Sequence, residues 1–190
     1  MSRVPVSQGP HHDGRPRLLV TGSRLLTRER HADAVQQGLV FCGKLLGREA
    51  VLVHGDCAPR VYRDRPGSPR HDGLDRLARD QWLRWGLDQL AYPADWAGQG
   101  VAAGHIRNEA MVRDLGMGPA ICMAWPHPDP AVRSGGTWDC VRRALAASVT
   151  VLSGWTCTPI LSAPDPADLP PRPPPGMLPH HANPRREVAQ

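Results

Sequence analysis

Leu18-Leu19-Val20-Thr21-Gly22-Ser23-Arg24 is the stretch whose reading decides the fold. Three apolar residues in a row, with no polar alternation, describe a strand covered on both faces. Thr21-Gly22-Ser23 ends that strand and opens a loop. Thr27 follows in a position to cap a helix. Ala32, Val35, Leu39, Cys42 and Leu46 then recur at helical spacing, and Gly47 stops the run. A buried strand feeding an amphipathic helix is the first half of a βαβ unit.

The same alternation continues outward. Ala50–Val53 is a second buried strand, leaving through His54-Gly55-Asp56-Cys57. Residues 59–71 hold three prolines and several arginines and read as an inserted loop. Asp72 is in place to cap the next helix, with Leu74, Leu77, Ala78, Trp82 and Trp85 as its buried stripe and Gly86 as its end. Leu87–Tyr92 is a third strand. Gly100–Leu115 is a helix expected to turn Ala103, Ile106, Ala110 and Met111 inward. Ala120–Trp125 is a fourth strand. A loop over 126–136 leads to a helix carrying Val141, Ala144 and Leu145, and Val149–Leu152 is a fifth strand. Apolar strands each followed by a helix predict an α/β fold: a Rossmann-like, doubly wound parallel sheet of about five strands with helices on both faces. In such sheets ligands bind outside the carboxyl ends of the strands, where the strand order switches.

The flanks read differently. Residues 1–16 are polar and rich in Pro and Gly, and are expected to be a disordered arm. Residues 158–190 carry Pro170-Pro171 and Pro173-Pro174-Pro175. Proline lacks a backbone donor and fixes φ, so this segment is expected to be a disordered tail. That leaves residues 17–157 as the domain. No apolar run approaches the ~18 residues of a membrane span, and no apolar signal core precedes Arg17, so a cytoplasmic protein without membrane association is expected. The cysteines are Cys42, Cys57, Cys122, Cys140 and Cys157. No two sit at zinc-ligand spacing, and an odd number does not close a disulfide framework, so reduced thiols and no metal are expected. The net charge is +5 and the pI about 9.3. Lys44 is the only lysine among 23 basic residues. An arginine bias of that kind is what GC-rich coding produces, so the charge alone is a weak sign of nucleic acid.

Four strand exits collect the polar groups. Gly22-Ser23-Arg24 offers a close-approach glycine, a hydroxyl and a forked cation to an anion. His54-Gly55-Asp56 puts two titratable groups at the sheet mouth, with Asp75 near them. Arg107-Asn108 falls mid-helix after the third exit, where a guanidinium is placed to reach a phosphate or carboxylate; pairing with Glu109 or Asp114 is the alternative. Gly135-Gly136-Thr137 begins a helix, where free N–H groups and the positive end of the helix dipole favour anions.

Taken in order, Leu18–Arg24, Val53–Cys57 with Gly73-Leu74-Asp75, Pro93–Trp96, Gly100–Met111, Cys122–Trp125 and Gly135–Ala144 resemble the YspA-like branch of the SLOG superfamily, related to DprA/Smf and Lonely Guy proteins. The resemblance covers roughly residues 17–152. It implies a nucleotide or nucleotide-derived ligand, as a sensor or processing module of bacterial or phage origin, with no cofactor. It also implies, as an alternative, a phosphoribohydrolase-like N-glycosidase, and as a third reading a DNA-binding protein of DprA type. Lonely Guy proteins pair a helix arginine with a Gly-Thr turn followed by glutamate. Arg107 and Gly136-Thr137 match that pattern, but Cys140 stands at the glutamate position, and a neutral thiol cannot act as a carboxylate. Asp139 comes one residue early and is expected to point elsewhere; Asp139 and Asp56 are the candidate catalytic carboxylates. Self-association is compatible with the resemblance.

Overall fold

A computed structural model describes residues 13–57, 72–116 and 118–171 of the chain. Residues 1–12, the predicted insertion at 59–71 and the tail beyond 171 lie outside the described residues. Five strands form one sheet: β1 (Arg17–Gly22), β2 (Val51–His54), β3 (Gln89–Ala91), β4 (Ala120–Trp125) and β5 (Thr150–Ser153). All pair in parallel, in the order β3-β2-β1-β4-β5. The order reverses between β1 and β4, so the switch point of this doubly wound sheet lies at the ends of β1 and β4, Gly22 and Trp125.

The apolar runs explain the layers. Leu18, Leu19 and Val20 are all fully buried, and successive side chains go to opposite faces. Leu18 and Val20 join α1 (Arg28–Leu46) and α2 (Leu74–Arg84) in one core, through Val35, Leu39, Leu77 and Trp82. Leu19 joins α4 (Ala103–Arg113) and α5 (Gly135–Ala146) in the other, through Met111, Cys140, Val141 and Ala144. A short helix, α3 (Trp96–Gln99), and one 3-10 turn precede α4. A buried ion pair ties the start of β1 to the end of α4: Arg17 Nη1 donates to Asp114 Oδ2 at 2.9 Å, and both residues are at most 5% exposed. The Tyr92 hydroxyl donates to the same oxygen.

Several expectations are corrected. The third strand is three residues long, because Leu87 packs as a helix-end residue and Tyr92 turns to Asp114. Thr27 precedes α1, but its side chain makes no cap bond. Asp72 caps that helix from outside, accepting the Arg28 N–H at 2.7 Å, while Gly73 takes the N-cap of α2. Trp85 falls at the end of α2 and is 36% exposed. Ile106 faces solvent at 45% exposure, because the inward position on that turn belongs to Asn108.

The ordered domain also runs past residue 157. Ser153 N–H donates to Thr158 O at 2.8 Å and Ile160 N–H to Val151 O at 2.9 Å. Proline's missing donor does not stop its carbonyl from accepting: Arg142 Nη1 reaches Pro164 O at 3.0 Å and Arg133 Nη1 reaches Pro170 O at 2.7 Å. Residues 158–171 are therefore a strap fastened by arginine, and the disordered-tail expectation fails for them. Among the described residues, no helix is long and apolar enough to cross a membrane.

Candidate functional site

Arg107 organises the strand exits. It projects from α4 toward the end of β2, where Nη1 donates to Gly55 O at 3.1 Å and to Cys57 Sγ at 2.8 Å. Nε donates to Asn108 Oδ1 at 3.1 Å. Glycine at 55 is what admits the guanidinium: a Cβ there would lie 2.0 Å from Nη1. Neither alternative carboxylate pairs with it. Glu109 meets Arg143, and Asp114 holds Arg17. Arg107 makes no ion pair among the described residues, and its bonds are all to neutral acceptors.

The surroundings are shaped by the same cation. Asp75, on the first turn of α2, accepts the Cys57 N–H at 2.9 Å. Burial, then the Asp75 charge, pushes the Cys57 thiol up, against the pull of Arg107 and Arg24. Arg24 lies over the ring of Trp96 with 5.9 Å to the centroid, a cation–π contact. Two arginines with no carboxylate bonded to them among the described residues thus stand near one cysteine.

Asn108 is 1% exposed and joins this group to α5. Its Nδ2 donates to Gly136 O at 3.1 Å and to Asp139 Oδ2 at 2.9 Å. The expected ligand-binding Asn108 is consumed in positioning Arg107 and the Gly135-Gly136-Thr137 turn. At that turn the Ser134 hydroxyl does not cap the helix; it accepts the His127 N–H at 2.8 Å instead. Among the described residues nothing lies within 4 Å of where a Cβ at Gly136 would stand. The strap closes a cavity of about 280 Å³ on the other side of α5, between Pro126, His127, Val132, Trp138, Leu169 and Pro170.

Other predicted residues serve the fold. Gly22 is covered by α2, since a Cβ would lie 2.4 Å from Leu74 Cδ2. Ser23 turns its hydroxyl to the Leu25 N–H at 3.1 Å, and its backbone bonds Trp125 O and Leu74 N–H. His54 is fully buried. Its Nδ1 accepts the Asp56 N–H at 3.1 Å, which leaves Nε2–H to donate to Gln89 Oε1 at 2.8 Å; it does not open to solvent. Asp56 adopts φ +44°, a left-handed conformation aspartate tolerates, and pairs with Arg79 at 3.3 Å on the outside. It is not gathered with Arg107.

The register of α5 reverses one expectation. Cys140 is fully buried in the core, whereas Asp139 faces α4. There it receives Asn108, Arg143 Nε at 3.2 Å and His105 Nδ1 at 3.1 Å. Burial alone would raise the Asp139 carboxyl, but the hydrogen bonds from Asn108 and His105 and the Arg143 charge outweigh it and hold it below its ordinary range. The sequence reading missed His105, Cys57 and Trp96. The signal for the first was present: His105 and Glu109 stand four apart on one helix, and Asp139 and Arg143 four apart on the other, a matched ladder of charge. Among the described residues no group of three or more His, Cys, Asp or Glu is arranged to hold a metal ion.

No protein-family model matches the chain, and no solved structure matches it. It is similar to the Gene 61 protein of Mycobacterium phage D29, 36% identical over 145 residues that span 72% of this chain and 94% of that protein.

Proposed function

We propose, for a chain that belongs to the family of the Gene 61 protein of Mycobacterium phage D29, that the strand exits bind the phosphate of a nucleotide or nucleotide-derived ligand, in the sensor or processing role that the YspA-like SLOG resemblance implies. One observation carries the reading. Arg107 is a half-buried guanidinium with no carboxylate partner among the described residues, held beside the N-terminus of α5. Asp75 acts on the guanidinium through space without bonding it, so no carboxylate among the described residues occupies its fork, and the site suits an incoming anion. The amides of Gly135-Gly136-Thr137 and the dipole of a twelve-residue helix favour the same sign. Arg24 adds a second cation, and the Asp75 carboxylate is an acceptor for ribose hydroxyls. Gly22, Ser23, His54 and Asp56 are left out of the binding set, because each is spent on the fold.

The test is a thermal-shift screen of the full chain against nucleoside mono-, di- and triphosphates, ADP-ribose, NAD and cyclic nucleotides. Binding to the folded state stabilises by about 2.7 kcal/mol at a hundredfold excess over Kd. One class of compound should raise the midpoint, and Arg107→Ala should abolish that rise while moving the unliganded midpoint by only a few degrees, about 1 kcal/mol. A cooperative melt that no compound shifts would sink the reading. A large loss of stability in Arg107→Ala would mark the residue as structural.

A further inference from the structure

We infer that His105, oriented by Asp139, is the general base and then general acid that hydrolyses a P–O bond of the ligand; this rests on the phosphate-binding reading above. The pair is built like an oriented base. Asp139 Oδ1 accepts from His105 Nδ1 at 3.1 Å, which places the acceptor lone pair on Nε2. The other carboxylate oxygen, Oδ2, is fixed by Asn108 Nδ2 at 2.9 Å and Arg143 Nε at 3.2 Å. The carboxylate is therefore held from two helices, and the imidazole is the most exposed of its partners. The His105 side chain is 47% exposed and Asp139 is 13% exposed: a buried orienting group behind an accessible base. That division of labour is the one a hydrolytic histidine requires.

Position ties the pair to the phosphate. Asn108 bonds Gly136 O and Asp139 with the same nitrogen, so the amide turn and the pair share one anchor. Asp139 lies four residues from Gly135 on α5, about one turn or ~6 Å along the axis. His105 and Asn108, three apart on α4, share the face on which both meet Asp139, and Asn108 in turn holds Arg107. A phosphorus atom held by the Gly135–Thr137 amides and Arg107 is polarised by them, and it is the nearest electrophile. Asp139 cannot itself be the acid, because its donors keep it ionised. In the step, water oxygen bonds to phosphorus while its proton passes to His105 Nε2. The P–O bond to the leaving group breaks, with its electron pair going to the leaving oxygen. His105 then returns the proton to that oxygen, so the net change is addition of one water.

The experiment incubates the full chain with ADP-ribose, NAD and nucleoside di- and triphosphates and resolves the products by ion-exchange chromatography. Phosphate-bearing cleavage products should accumulate in proportion to protein. His105→Ala should lower kcat about 100-fold or more with KM within about threefold, and free imidazole should restore part of the rate. A simple helix-to-helix staple would show no such rescue. Asp139→Asn should lower kcat without responding to imidazole, and its melting curve reports folding separately. A wild-type chain whose midpoint rises with a nucleotide but which cleaves nothing overturns the inference and leaves the binding reading standing. Full activity in His105→Ala overturns it, as does release of free base with the phosphates intact. Absence of any thermal shift and any product overturns both readings.

Discussion

Gly55→Ala separates the binding machinery from the fold. Gly55 is not in the left-handed region, so alanine suits the backbone, and the whole effect falls on its neighbour. The added Cβ would stand 2.0 Å from Arg107 Nη1, 2.5 Å from Cζ and 3.0 Å from Nε. All three are inside van der Waals contact, and a guanidinium is the mobile end of a flexible side chain, so Arg107 swings away. It gives up its bonds to Gly55 O and Cys57 Sγ but regains water at the site mouth, a net cost of about 1 kcal/mol. Ligand binding loses a charge-assisted contact worth about 1.5–3 kcal/mol, which is about a 10- to 150-fold weaker Kd. Isothermal titration with the nucleotide that gives the largest melting shift reads the second number, and urea unfolding reads the first. A double-mutant cycle sharpens the test: in an Arg107→Ala background, Gly55→Ala should change affinity by less than about twofold, since the group it displaces is gone. Wild-type affinity in Gly55→Ala, or full additivity with Arg107→Ala, would refute the reasoning.

Three further outcomes are expected. Asp114→Ala removes the buried partner of Arg17, leaving it the more exposed Asp13 at 3.3 Å, and should cost about 3 kcal/mol in chemical denaturation, whereas Tyr92→Phe, which removes only one donor, should cost about 1 kcal/mol. Gly154→Ala drives a Cβ to 2.1 Å from the Trp125 ring, which Gly38 confines from another side; the rigid indole cannot yield, and the cost should reach or exceed about 3 kcal/mol. Asp139 titrates below its ordinary value of 3.8 in the folded state, so its contribution is present above that value and is lost as pH falls through the folded one. Asp139→Asn should flatten the acid limb of stability in urea melts, and an unchanged limb would contradict the bonding described.

The layers were readable because parallel strands are buried on both faces. Leu18–Val20, Ala50–Val53 and Ala120–Trp125 are uninterrupted apolar runs, and each is a strand or overlaps one. Arg107 and the Gly135–Thr137 turn were readable as polar groups at strand exits. What escaped the reading depended on helix rotation. Ile106 is the more apolar residue, yet Asn108 takes the inward position, because its amide satisfies Arg107, Gly136 and Asp139 together. The same rotation sends Cys140 into the core and turns Asp139 to α4. The strap escaped for another reason: a proline-rich composition reports missing donors, whereas residues 158–171 are held through their acceptors by Arg133 and Arg142.

The central pairing of β1 with β4 sets a schedule for synthesis. Leu19 lies beside Cys122 in the sheet, so the two neighbours emerge from the ribosome about 100 residues apart, which takes about 5–20 s. During that interval β1 has β2 on one side and an open edge on the other, and that edge presents Leu18, Leu19 and Val20. An uncovered apolar strand edge is a template for pairing with another chain. The nascent N-terminal half is therefore the vulnerable species of this protein. Conditions that slow elongation between β3 and β4 should raise the insoluble fraction more than those that slow it after β5.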